Sequence, residues 1–133
     1  MTISVLLVTH AEVGEALLKA VTRTMDELPL PTTVVTVNYD SDLTDLVPRV
    51  KKVAAEFAKH EGLLILTDLF GSTPSNIAQE LQKLGNVRVV SGLNFPMLIR
   101  VMNYPGLTLD KLAEKAVSGG KDGVIDCKRQ NDD

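Results

Sequence analysis

Tryptophan is absent, and the 133 residues include three phenylalanines and two tyrosines, so the core has to be built from aliphatic side chains. An aliphatic core suits a parallel sheet, whose strands are covered on both faces and read as runs of Val, Leu and Ile. The single cysteine, Cys127, excludes an internal disulfide, and no Cys/His cluster has zinc spacing. Basic residues are not in excess: 14 Lys and Arg against 17 Asp and Glu leave a net charge of −3. No basic stripe is therefore available to neutralise phosphates, which argues against a nucleic-acid binder. Apolar runs are short as well, and none approaches the roughly 18–20 residues that span a bilayer. Met1-Thr2 leads directly into an apolar segment without a basic leader, so a soluble cytoplasmic protein is expected. The hydrophobic content of 44% and charged content of 23% are those of a globular chain. A chain of this length is expected to form one domain over residues 1–133.

What the chain does have is alternation. A nearly continuous apolar run at 2–9 reads as a strand, followed by helical periodicity over 12–26 with Val13, Ala16, Leu17, Ala20, Val21 and Thr24 on one face. Pro29 and Pro31 break the chain before a β-branched strand at 33–37. A polar loop, 38–42, precedes a helix at 43–60, with Leu46, Val50, Val53, Ala54 and Phe57 inward and Pro48 in its first turns. Gly62 stops it, and a third strand follows at 63–67. Thr73 is a natural N-cap and Pro74 a natural first residue for a helix over 74–84. A strand at 87–90, a helix at 96–103 and a helix at 108–118 capped by Thr108 come next, with Gly119-Gly120 as a stop. Val124 to Asp126 reads as a short last strand, and 128–133 as a polar tail. The pattern predicts a doubly wound α/β fold, with a mainly parallel sheet of order 2-1-3-4 and helices on both faces.

That order brings the ends of strands one and three together at the switch point, where open α/β sheets bind ligands. Strand one ends in Thr9-His10 and strand three in Thr67-Asp68. A neutral imidazole is a competent nucleophile toward phosphorus when a carboxylate fixes its tautomer, a role open to Asp68. The turn Gly71-Ser72-Thr73 opens the next helix and can offer backbone N–H groups, the Thr73 hydroxyl and a positive dipole end to phosphoryl oxygens. Gly71 would let the backbone approach closely without a Cβ in the way. Each feature also has a plain explanation: a strand-end His as a surface residue, Asp68 as a turn former, Gly-Ser-Thr-Pro as a helix start. Their convergence at one switch point puts the chemical reading level with the plain one. His60, at the end of its helix, suits the dipole; Cys127 has no nearby base; Lys51, Lys52, Glu56 and Lys59 read as a solvated face. No metal site and no cofactor fingerprint are seen, since no G-x-G-x-x-G or P-loop pattern occurs.

Three segments carry a resemblance to a known family. Val5 to His10 with the following Glu15 to Leu18 helix, Leu66 to Asn76, and Val89 to Leu98 (ending Gly-Leu-Asn-Phe-Pro-Met-Leu) are similar to the IIA components of the mannose family of the bacterial phosphotransferase system. They cover nearly the whole chain in order. The resemblance implies that His10 receives a phosphoryl group from the phosphohistidine of the carrier HPr and hands it to a IIB component. It implies Asp68 as the orienting partner and Thr73 as the Ser/Thr beside the phosphate. It also implies a homodimer in which the last strand, here 124–126, completes a neighbouring sheet. One departure is Ser72, where the family often has a second glycine before Ser/Thr-Pro; it adds a donor and removes backbone freedom. No IIB domain follows, so the acceptor is expected to be a separate chain.

Two other purposes share the motifs: a phosphoryl donor to a dihydroxyacetone kinase, and a IIA-like regulator. A receiver-like domain phosphorylated on Asp68 would need acidic residues after strand one to hold Mg²⁺. Thr9-His10-Ala11 stands there instead.

Overall fold

The computed structural model describes residues 3–58 and 61–128. Four strands, β1 (Ser4–His10), β2 (Thr32–Val37), β3 (Leu63–Thr67) and β4 (Val87–Ser91), alternate with helices α1 (Val13–Met25), α2 (Leu43–Ala58) and α3 (Thr73–Glu80). Helices α4 (Phe95–Met102) and α5 (Leu109–Asp122) complete the chain. All strand pairs are parallel and the order is β2-β1-β3-β4, as the alternation predicted.

Strand side chains point alternately to opposite faces, so a strand buried on both sides feeds two cores. In β1, Val5 and Leu7 pack with Val21 of α1, Leu98 and Met102 of α4, and Leu112 and Ala116 of α5. Leu6 and Val8 face the other way, onto Leu46, Val50 and Ala54 of α2 and Ile77 and Ala78 of α3. Leu63 and Ile65 of β3 share that second core, while Leu64 and Leu66 enter the first. Burying each such side chain contributes about 1.5–3 kcal/mol. The aliphatic composition is thus divided between three helices on one face and two on the other.

Several local expectations need correction. The inward face of α1 is Gly14, Leu17, Leu18, Val21 and Met25, whereas Val13 is 39% exposed and Ala16 and Thr24 are exposed. Gly14 rotates the helix. A Cβ there would lie 2.6 Å from Thr9 Oγ1, and the Gly14 N–H donates to that oxygen at 2.8 Å. Pro48 stands six residues into α2, beyond the four N–H groups that a helix start leaves free, so the helix forgoes one bond there. Asp42 opens α2: its carboxylate accepts from the Thr44 N–H at 2.9 Å. The helix expected over 74–84 is α-helical to Glu80 and tightens to a 3₁₀ turn at Leu81–Leu84. Its cap position is held by Ser72, with Thr73 already helical. Asn94, whose side chain accepts from the Met97 N–H at 2.9 Å, caps α4 and had not been anticipated; Thr108 caps α5 as predicted.

Gly119 and Gly120 do not stop α5, which runs through them to Asp122. They are spacers: a Cβ on Gly119 would overlap Cβ and Cγ of Arg100 on α4, and one on Gly120 would sit 2.9 Å from Met97 Cε. The strand expected at 124–126 does not form within this chain. The segment pairs with no strand of its own sheet, and Val124 and Ile125 are 77% and 70% exposed. His60 and Lys59, the end of the expected helix 43–60, and positions 129–133 of the tail lie outside the described residues.

Gly119→Ala should lower stability by about 1–3 kcal/mol through overpacking at the α4–α5 contact, although Ala is the better helix former. Urea unfolding would check this; an unchanged or raised midpoint would remove the spacer role.

Candidate functional site

Because β1 and β3 run parallel with Val8 opposite Thr67, their C-terminal ends lie side by side. His10 is the last residue of β1, and Asp68 follows the last residue of β3. The Asp68 carboxylate accepts from the His10 backbone N–H at 3.0 Å. The ring Nδ1 lies 3.1 Å from Oδ1 and 3.0 Å from Oδ2 of the same carboxylate. One side chain therefore holds both main chain and ring of His10. With Nδ1–H donating to the carboxylate, a neutral ring keeps its lone pair on Nε2. Asp68 is 13% exposed and the His10 side chain 42%, so the carboxylate is set behind a ring that solvent and partners can reach.

The backbone bends sharply after His10. Ala11 has φ +39°, a left-handed conformation that costs an alanine about 1–2 kcal/mol, and its N–H donates to Val37 O at 3.0 Å. Nothing in the residue type signalled this, since glycine is the usual occupant of such a turn.

Thr73, the first residue of α3, is exposed and lines the same cleft of about 450 Å³ as His10, Ala11 and Tyr39. A second groove of about 350 Å³ continues from it between α2 and α3, sharing Leu43 and Thr73. The N–H groups of Thr73 and Ser75 have no acceptor within a helix that begins at Thr73, and Pro74 has no N–H to spare. The other two residues of the predicted turn stand apart from the cleft lining. Ser72 turns its hydroxyl back to donate to Leu69 O, and its N–H goes to the same oxygen at 3.3 Å. Gly71 is exposed at φ +82°, with nothing within 4 Å of where a Cβ would stand. The dihedral angle itself favours glycine there.

Sequence reasoning also missed four exposed apolar side chains around the site. Tyr39 and Leu43 flank it on the β2–α2 side, and Leu69 and Phe70 on the β3–α3 side, at 111%, 47%, 62% and 74% exposure. Tyr39, Leu69 and Phe70 sit in loops and Leu43 opens a helix, where exposed apolar residues carry no periodic signal. At the opposite end of α3, Lys83 holds the Glu80 carboxyl below its ordinary value through a 2.7 Å hydrogen bond and its charge. Among the described residues no group of three or more His, Cys, Asp or Glu is placed to hold a metal ion.

The arrangement is an imidazole with its Nε2 free, a largely shielded carboxylate bonded to its Nδ1 and a helix start nearby, a set that can do chemistry on an anion. The family model described as PTS system fructose IIA component matches residues 4–117. The chain belongs to that family. IIA components take part in the phosphoryl relay of the sugar phosphotransferase system, so a general phosphotransferase role follows from membership. Among solved structures, the mannose/sorbose specific IIA subunit of Enterococcus faecalis is similar at 25% identity and a TM-score of 0.86, with 97% of each chain covered. The component EIIA from Streptococcus agalactiae shares the fold at 22% identity and a TM-score of 0.80, covering 93% of this chain and 96% of that one. A IIA protein associated with the fucose utilization operon of Streptococcus pneumoniae does so at 18% identity and 0.78, covering 95% and 93%. No curated protein matches significantly. Among the described residues of this IIA component, no helix is long and apolar enough to cross a membrane.

At a pH where the ring is neutral, two-bond ¹H–¹⁵N NMR should find His10 protonated on Nδ1 and bare on Nε2. In Asp68→Ala the two tautomers should mix. The same single tautomer in both proteins would mean that Asp68 does not set it.

Proposed function

We propose that His10 is a phosphoryl carrier: it accepts the group from the phosphohistidine of HPr and passes it to a separate IIB component in the cytoplasm. The observation that carries this reading is the double hold of Asp68 on His10, through the amide at 3.0 Å and the ring Nδ1 at 3.0–3.1 Å. In the transfer, the Nε2 lone pair attacks phosphorus while the bond from phosphorus to the donor's imidazole breaks, and that imidazole keeps the electron pair. Positive charge grows on the His10 ring and the Asp68 carboxylate stabilises it. The three equatorial oxygens need donors already in place. The Thr73 hydroxyl and the free N–H groups of α3 supply them, with Gly71 shaping the turn. Ser72 has its hydroxyl on Leu69 O and contributes through turn geometry.

Exposed Tyr39 and Leu43 in the His10 cleft, with exposed Leu69 and Phe70 directly after Asp68 in the chain, fit a protein partner better than a sugar, because sugars are bound by convergent polar groups in closed clefts. The same reading gives the open edge of β4 to a second copy of the chain. A groove of about 740 Å³ lies along β4 between Phe70, Gln79 and α5. The unpaired 124–126 segment of a neighbour, with exposed Val124 and Ile125, could add a strand there.

Incubation with phosphoenolpyruvate, Enzyme I and HPr, followed by intact mass and site mapping in alkali, tests the relay. One acid-labile phosphoryl group is expected on His10 and none on His10→Ala; a labelled His10→Ala would refute the assignment. Asp68→Ala should take up phosphoryl about 10²–10⁴-fold more slowly, and wild-type rates in it would reduce Asp68 to a turn residue.

A further inference from the structure

Three hydroxyls and an amide run in line behind the site. Thr67 Oγ1, at the end of β3, lies 2.8 Å from Ser91 Oγ at the end of β4. Ser91 Oγ lies 3.2 Å from Ser75 Oγ in the first turn of α3, and Gln79 Nε2 donates to Ser75 Oγ at 3.0 Å. Thr67 and Ser75 are fully buried. The N–H groups of Gly92 and Leu93 both donate to Thr67 O at 2.9 Å, which binds the start of the β4–α4 loop to the same point.

Such a line costs desolvation of every hydroxyl in it, whereas alanine or valine would fill the space without that cost. Directionality is what the hydroxyls add. Apolar surfaces meet without fixing rotation, but a hydrogen bond is lost when its partners slide by an ångström. The two ends of the line adjoin the site: Asp68 follows Thr67, and Thr73 precedes Ser75 with Pro74 alone between them. Proline fixes its own φ, so a shift of Ser75 is passed to Thr73 with little slack. Helix α3 has eight residues, too few to hold a conformation or a position by its own hydrogen bonds.

We infer that Ser91, bridging Thr67 and Ser75, is a positioning residue. It keeps the first turn of α3, and with it the Thr73 hydroxyl and amide, at a fixed setting relative to the His10–Asp68 pair. This rests on the reading of His10 as the phosphoryl acceptor. Ser91 does not belong to the cleft that His10, Tyr39 and Leu43 line; it lines the groove along β4 with Phe70, and its hydroxyl is engaged by Thr67 and Ser75. Its loss should therefore leave the His10 face of the partner contact intact and slow the transfer itself.

Phosphoryl uptake from phospho-HPr, measured as kcat and KM on the full chain, tests the inference together with thermal melts. Ser91→Ala should lower kcat about 10- to 100-fold, the scale of a displacement near 1 Å, with KM within twofold of wild type. Ser91→Thr keeps the hydroxyl and should restore kcat, and Ser75→Ala should reproduce the same split from the helix side. A folded Ser91→Ala with a lower melting temperature and a wild-type kcat would overturn the positioning role and leave a structural one. If Ser91→Ala does not fold, Ser75→Ala and Ser91→Thr decide: wild-type kcat in Ser75→Ala, or no activity in Ser91→Thr, overturns it. Wild-type protein that takes up no label, while HPr does, overturns the reading of His10 itself, a result separable from the other failures.

Discussion

The contact between Asp68 and His10 joins what the fold assembles to what the site does. The carboxylate accepts from a backbone amide at the end of β1 and from the ring that the same residue carries. Hydrogen bonds to a charged acceptor contribute about 1.5–3 kcal/mol each, enough to hold the ring in one orientation at the edge of solvent. The contact exists because β1 and β3 are neighbours in parallel register, although Leu63 lies more than fifty residues beyond Ser4. Neighbouring strands so distant in sequence require the right-handed crossovers through α1 and α2, and those require two apolar faces on every central strand. The aliphatic composition and the site chemistry are therefore linked through strand order.

At the strand ends the interior changes character. Thr9 and Thr67 are fully buried, yet each hydroxyl is bonded, one to the Gly14 amide and the other to Ser91. A buried polar group without a partner would cost several kcal/mol, so these residues mark where packing gives way to directed bonds. The same boundary holds strained backbone at Ala11 and positive φ at Gly71 and Gly92. Strain near a site persists only when the surroundings over-determine it, and here both strands and both cores do so.

Strand order, the pairing of His10 with Asp68 and the helix start at Thr73-Pro74 were legible in the sequence because each rests on a strong local signal. Continuous Val, Leu and Ile runs marked the strands, and strand order followed from alternation alone. The misreadings share a different cause, since each depended on a contact between elements. Gly119-Gly120 looked like a stop until Arg100 and Met97 were found packed against them. The face of α1 turned because Gly14 seats against Thr9, and the cap position of α3 fell to Ser72 where Thr73 was expected. Val124 and Ile125 have strand propensity, but no strand forms from them within one chain, and pairing with a second copy is a contact between molecules.

The two sides of the site are held with different stiffness. His10 and Asp68 stand at the ends of central strands whose preceding side chains are buried, the least yielding part of an α/β protein. Thr73, the proposed anion side, rides on α3, a short helix that passes into a 3₁₀ turn and is anchored by Pro74, Ile77 and Ala78. Apolar anchors set its depth and leave its rotation to polar bonds. A transferred phosphoryl group needs both: a nucleophile that does not reorganise, and donors whose aim is fixed to within fractions of an ångström. In this architecture the strands can supply the first without help from loops. The second has to come from hydrogen bonds that tie a helix start to the strand ends, and Thr67, Ser91 and Ser75 are where those bonds are found.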